Sequence, residues 1–141
     1  MSRSHSPRTI RTVLALSAVA ITMITLSGCA EFSEAMTHQK ELTFADWAAA
    51  PTRGDLAFVP APFVPHDATD LTIKTITTGT GKLLRFTTKS ELDPELCEPG
   101  PLNGSPRLGA DWWPKDAPRS GEVCGHYRVF EKGDVTYAYN R

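Results

Sequence analysis

The stretch Leu71-Thr72-Ile73-Lys74-Thr75-Ile76-Thr77-Thr78-Gly79-Thr80-Gly81-Lys82-Leu83-Leu84-Arg85-Phe86-Thr87-Thr88 decides the fold class. Its first eight residues are rich in β-branched side chains, which suit a pleated, half-buried surface. Gly79-Thr80-Gly81 follows as a turn, and Lys82 to Thr88 is a second run of strand type. Two such runs about a glycine turn predict a β-hairpin. Leu71 and Ile73 fall on one face by the two-residue period, and so do Leu84 and Phe86. No helical pattern follows the Gly-Thr-Gly turn, so it is far from a phosphate-cradling loop.

A second hairpin is expected near the C-terminus. Glu122 to Phe130 reads as one strand with Val123, Gly125, Tyr127 and Val129 on a common face. Glu131-Lys132-Gly133-Asp134 is a turn, and Val135, Tyr137 and Tyr139 share a face of the strand beyond it. Between the hairpins, residues 90–121 are irregular and hold Pro94, Pro99, Pro101, Pro106, Pro114 and Pro118. Upstream, Thr43-Phe44-Ala45-Asp46 has the spacing of a helix N-cap, with a short helix from Phe44 to Ala50 stopped by Pro51. Pro51, Pro60, Pro62 and Pro65 then mark a stiff, polyproline-like connector that lies against the domain with Phe63 or Val64 buried. These elements predict an α+β, mostly β fold: one small antiparallel sheet of two β-hairpins, a short helix and a disulfide-stapled loop. The expected core is Trp47, Leu71, Ile73, Leu84, Phe86, Val123, Tyr127, Val129, Val135, Tyr137 and Tyr139. No internal repeat is apparent.

The N-terminal end has a different character. Arg3, Arg8 and Arg11 precede the first acidic residue, Glu31, and Val13 to Leu26 is a run of 14 uncharged residues. As a helix this run spans roughly 21 Å at about 1.5 Å per residue. That is short against a hydrocarbon core about 30 Å thick, and it fits the h-region of a signal peptide. The basic flank stays on the cytoplasmic side. No Arg-Arg pair is present to suggest twin-arginine export.

Leu26-Ser27-Gly28-Cys29 closes this run. The arrangement of basic flank, apolar run and Leu-Ser-Gly-Cys resembles the leader and lipobox of bacterial lipoprotein precursors. The resemblance implies diacylglyceryl transfer to the Cys29 thiol and cleavage before it. Residues 1–28 are then a signal peptide, residues 29–42 a tether and residues 43–141 a small domain. As a coil, the part of the tether from Ala30 to Glu41 reaches about 20 Å. Two or more acyl chains hold a protein stably on a membrane. The expected location is therefore extracytoplasmic, lipid-anchored to the outer face of the cell membrane. Val64-Pro65-His66-Asp67-Ala68-Thr69, Asp111-Trp112-Trp113-Pro114 and Cys124-Gly125 also resemble stretches of small lipoproteins of the actinobacterial type, a likeness that implies no activity.

The leader holds three of the 15 basic residues and none of the 16 acidic ones, so residues 29–141 carry 12 basic against 16 acidic groups, a formal charge of −4. A nucleic-acid binder is expected to show a basic excess or stripe, and none is visible. With Cys29 assigned to lipid, Cys97 and Cys124 remain as an even pair in an oxidising compartment, where a disulfide is expected. The rival is a metal site built from Cys97, Cys124 and His126, for which a fourth ligand is not evident.

Three constellations bear on function. Trp112-Trp113-Pro114 is the most distinctive feature of the chain beyond the leader. Its rings either stack on sugar rings or another partner, or pack on the disulfide and the sheet edge. Asp93, Glu95 and Glu98, with Glu91 nearby, form an acidic cluster that would serve a hydrolase only if held at a defined separation in a cleft. On a proline-rich loop it reads more simply as a solvated face. His126 alternates with Arg128 and reads as a solvated pair. No nucleophile elbow, His-Glu-x-x-His or Cys-His signature is present. No catalytic residue, metal or cofactor is therefore assigned. The expectation is a non-enzymatic interaction module that contacts an envelope protein or wall component, with no nucleic acid. The alternatives are a glycan or small-molecule binder using Trp112 and Trp113, and a small hydrolase.

Overall fold

A computed structural model describes residues 37–140. From Gln39 to Asn140 the chain forms seven strands and two 3-10 turns, Trp47–Ala49 and Leu56–Phe58, and no α-helix. The strands are β1 (Gln39–Asp46), β2 (Thr69–Ile76), β3 (Lys82–Thr87), β4 (Glu98–Pro101), β5 (Ser120–Cys124), β6 (Tyr127–Lys132) and β7 (Val135–Asn140). They make one antiparallel sheet in the order β1-β2-β3-β7-β6-β5-β4. The two expected hairpins are its centre, joined where β3 pairs with β7. The sheet is larger than two hairpins, because β1, β4 and β5 extend it on both sides.

The expected helix over Phe44 to Ala50 is replaced by β1 and a single 3-10 turn. Leu42 pairs with Ile73 and Phe44 with Leu71, so the outer side of β2 recruits this segment as a strand. The Thr43 hydroxyl caps nothing and lies 3.2 Å from the Thr72 hydroxyl across the strands. Asp46 is the cap instead, its carboxylate accepting from the Ala49 amide at 2.8 Å. Residues 39–42, expected in the tether, belong to this edge strand. A second correction falls at the other end. Glu122 to Phe130 is not one strand but two, with Cys124 facing Tyr127 across a turn at Gly125 and His126. Gly125 adopts φ +59°, a left-handed conformation that glycine takes without steric cost.

Both faces of the sheet are covered, where one was expected. Paired residues share a face, so Ile73, Leu84, Ala138 and Val129 form a row on the first face. Residues 50–68 lie over that row and bury Ala50, Phe58, Ala61, Phe63, Val64 and Ala68. Phe63 meets Tyr127 edge-on at 5.2 Å between ring centres. The Asp67 carboxylate secures the end of this connector. It accepts from the Thr88 hydroxyl at 2.6 Å and the Lys89 amide at 3.1 Å, and the Thr88 bond is the main cause holding its pKa below the ordinary carboxylate value.

The second face carries the row Lys74, Leu83, Tyr139, Arg128 and Val123. Residues 102–119 fold back over it, so that Leu83, Leu108, Phe130 and Tyr139 form a second core. This double burial explains why the consecutive Leu83 and Leu84 are both fully buried. Of the expected core, Leu71, Ile73, Leu84, Phe86, Val129 and Tyr139 are buried, and Trp47, Tyr127 and Tyr137 pack from the margins. Val123 and Val135 stay partly exposed and join neither cluster.

Candidate functional site

The segment 102–119 is a loop on a two-stranded stem. Pro101 pairs with Ser120 and Gly100 with Gly121, and the Leu102 amide donates to the Arg119 carbonyl at 3.0 Å to close the mouth. At the base of the stem, Cys97 and Cys124 are joined by a disulfide with S–S 2.02 Å. The bridge belongs to the first-face core. The loop ends meet across this stem, as in other compact surface loops.

Trp113 anchors the loop. It meets Phe130, Tyr137 and Tyr139 edge-on, with ring centres 5.6, 5.8 and 5.8 Å away. Such contacts add about 0.5–1.5 kcal/mol each beyond area burial. Two hydrogen bonds hold the neighbouring turns: Trp113 N–H to the Ala110 carbonyl at 3.0 Å, and the Tyr139 hydroxyl to the Gly104 carbonyl at 3.0 Å. Trp112 points to a different part of the same face. Its indole N–H donates to Glu41 at 2.9 Å, and the Arg85 guanidinium lies 5.2 Å from its ring centre. Glu41 also lies 3.7 Å from Lys74, and Arg85 donates to the Thr72 hydroxyl at 3.2 Å. Neither tryptophan packs on the disulfide, which lies in the core of the opposite face.

Between the loop and the sheet is an open cleft of about 630 Å³. Trp113 gives it an aromatic wall with the buried Tyr139 at its floor, Lys115 and Arg119 form its charged lining, and Asn103 and Ser105 add polar groups. The volume falls within the common range of ligand sites, about 300–1,000 Å³. No acidic residue lines it. The nearest acids along the loop are engaged or directed elsewhere: Asp116 lies 3.9 Å from Lys132, and Asp111 is exposed outside the lining.

The other sequence candidates do not converge. Cys29 lies outside the described residues. Asp93 builds a turn, its carboxylate accepting from the Glu95 amide at 2.8 Å and its carbonyl from the Leu96 and Cys97 amides at 3.0 and 2.9 Å. That turn delivers Cys97 to the disulfide. Glu91, Glu95 and Glu98 are exposed. His126 is exposed in the Gly125-His126 turn rather than on a strand face, so it does not join the cysteines as expected of a metal site. Among the described residues no group of three His, Cys, Asp or Glu side chains is placed to hold a metal ion.

Of the residues lining this cleft, the sequence singled out Trp113 and not Lys115 or Arg119. Their signal was present in Trp113-Pro114-Lys115 and Pro118-Arg119, two cations close to an aromatic in a loop otherwise read only for its prolines. Nor did the sequence single out Glu41 and Arg85, the partners of Trp112, which are distant along the chain. No protein-family model, curated protein or solved structure matches this chain.

Proposed function

We propose that this chain is a lipid-anchored envelope protein whose β-sheet domain acts as a non-enzymatic interaction module outside the membrane. The observation that carries the reading is Leu26-Ser27-Gly28-Cys29 behind a basic flank and a short apolar run. The Cys97–Cys124 bridge supports it, since such bonds persist in oxidising compartments. The formal charge of −4 on residues 29–141 gives no electrostatic footprint for nucleic acid. The lipid therefore supplies the membrane attachment, and the domain meets an envelope protein or wall component. Substituting Cys29→Ser and fractionating cells tests this. The expected result is release from the membrane fraction and loss of the lipid mass. A variant that stays membrane-bound at the mass of the parent overturns the reading.

A second reading, a glycan or small-molecule binder, is favoured by one observation: the half-buried Trp113 lines a cleft of ligand size. It refines the first reading, because it names what the module holds. Trp112 is committed to Glu41 and Arg85, so Trp113 is the contact residue of the pair.

A further inference from the structure

The charge of the cleft under residues 102–119 differs from that of the domain around it. Residues 29–141 are acidic, yet the cleft lining holds Lys115 and Arg119 and no Asp or Glu. Among the described residues, no carboxylate pairs with either cation. An unpaired Lys and Arg beside the half-buried ring of Trp113 have complementary uses. Guanidinium and ammonium groups bind carboxylates through charge-assisted hydrogen bonds. Flat aromatic surfaces bury the apolar face of a ring ligand.

A second acid-free hollow lies at the end of the sheet where the turns at Thr80 and Gly125-His126 meet the end of β7. A cavity of about 440 Å³ is lined by Thr80, Gly125, His126, Arg128 and Asn140. Arg128, which lines it, is the cross-strand partner of Tyr139, a lining residue of the first cleft. The Arg128 guanidinium donates to the Tyr127 carbonyl at 3.2 Å, but its Nε is buried without a hydrogen-bond partner. A buried unsatisfied donor costs about 1–3 kcal/mol. Arg107 stands at the rim of the region, its guanidinium 3.5 Å from the Thr80 hydroxyl.

We propose that this face binds an acidic saccharide, with a sugar ring against the half-buried Trp113 and a carboxylate held by Lys115 and Arg119. Arg128 offers a further contact to the next residue of a longer chain. The assignment rests on the extracytoplasmic reading, since that is where a protein meets carboxylated wall glycans. It uses Trp113 for ring affinity and the two cations for selection, so a neutral sugar of the same skeleton loses the selective contact.

The test uses the full chain purified in detergent and titrated by tryptophan fluorescence. One probe is N-acetylglucosaminyl-N-acetylmuramic acid, which carries a lactyl carboxylate. Its neutral counterpart is N,N′-diacetylchitobiose. The acidic disaccharide is expected to bind about tenfold more tightly, a difference of about 1.4 kcal/mol. Lys115→Ala with Arg119→Ala is expected to remove that preference, and Lys115→Arg with Arg119→Lys to keep it. Both positions are exposed, so the variants fold. Equal affinity for the two sugars, a preference that survives removal of both cations, or no binding of either sugar overturns the proposal. Competition by sodium acetate at the same concentration as the disaccharide also overturns it, by reducing the site to a simple anion site. Fractionation of Cys29→Ser is independent of these titrations. Failure of the saccharide assignment is therefore distinguishable from failure of the lipid anchor.

Discussion

Trp112 and Trp113 are adjacent in sequence and unequal in work. Trp113 closes an aromatic cluster with Phe130, Tyr137 and Tyr139 and holds the loop on the second face. Trp112 caps a polar patch of Glu41, Lys74 and Arg85 near the sheet edge. Trp113→Ala therefore leaves a cavity under the loop and is expected to cost about 3 kcal/mol, the lower end of large-aromatic truncations because the ring is only partly buried. Trp112→Ala is expected to cost about 1 kcal/mol, as a partly exposed hydrogen bond and cation–π contact. Urea denaturation of both variants checks the order. Equal losses would mean that the loop is not anchored through Trp113. At this scale the sequence was informative where chemistry is local: Trp-Trp-Pro and the Cys97–Cys124 pair were both legible. The partners of Trp112 were not, because Glu41 and Arg85 reach it only through strand register.

The elements show where local pattern and tertiary pairing compete. Ala45-Asp46-Trp47-Ala48-Ala49-Ala50 suits a helix by propensity, but β2 offers an unpaired edge, and residues 39–46 satisfy their backbone groups there. The break between Val123 and Tyr127 is not legible in sequence because a turn of Gly125 and His126 carries little composition of its own. The hairpin around Gly79-Thr80-Gly81 was legible because β-branched density and glycine spacing agreed. The sheet edges differ. Pro99 and Pro101 in β4 block further pairing on one side, as edge prolines do. At the head of the stem, Gly121 lies against the Val129 carbonyl, and an added Cβ there would strike that backbone oxygen and the Leu102 side chain. Gly121→Ala is expected to destabilise the domain by about 2 kcal/mol and to loosen the loop stem. Hydrogen exchange on residues 98–124 checks this, with faster exchange of the β4–β5 amides as the expected result and unchanged protection as the contrary one.

At the scale of the molecule, a sheet with two covered faces needs two covering segments, and both are rich in proline and poor in secondary structure. Residues 50–68 cover one face and residues 102–119 the other. That the second segment folds back was not legible, since nothing near it in sequence states which strands it will meet; the cleft and its cations became visible only with the fold. The disulfide makes the arrangement economical by closing a span of 27 residues around the stem. Replacing Cys97 and Cys124 together with alanine is expected to lower stability by about 3.5 kcal/mol, from the lost constraint on the unfolded chain. For a domain of this size that is a large share of a typical 5–15 kcal/mol. A urea midpoint unchanged from the parent would contradict this.

On the proposed reading the three cysteines divide between lipid at Cys29 and the disulfide that staples the loop stem. Intact-mass measurement of the protein extracted from membranes, alkylated before and after reduction, tests it most directly. The account predicts a chain beginning at Cys29 with the mass of a diacylglyceryl group. It takes no alkyl label before reduction and labels at Cys97 and Cys124 after it. An unmodified Cys29, a retained leader, or free thiols at Cys97 and Cys124 before reduction would contradict the account.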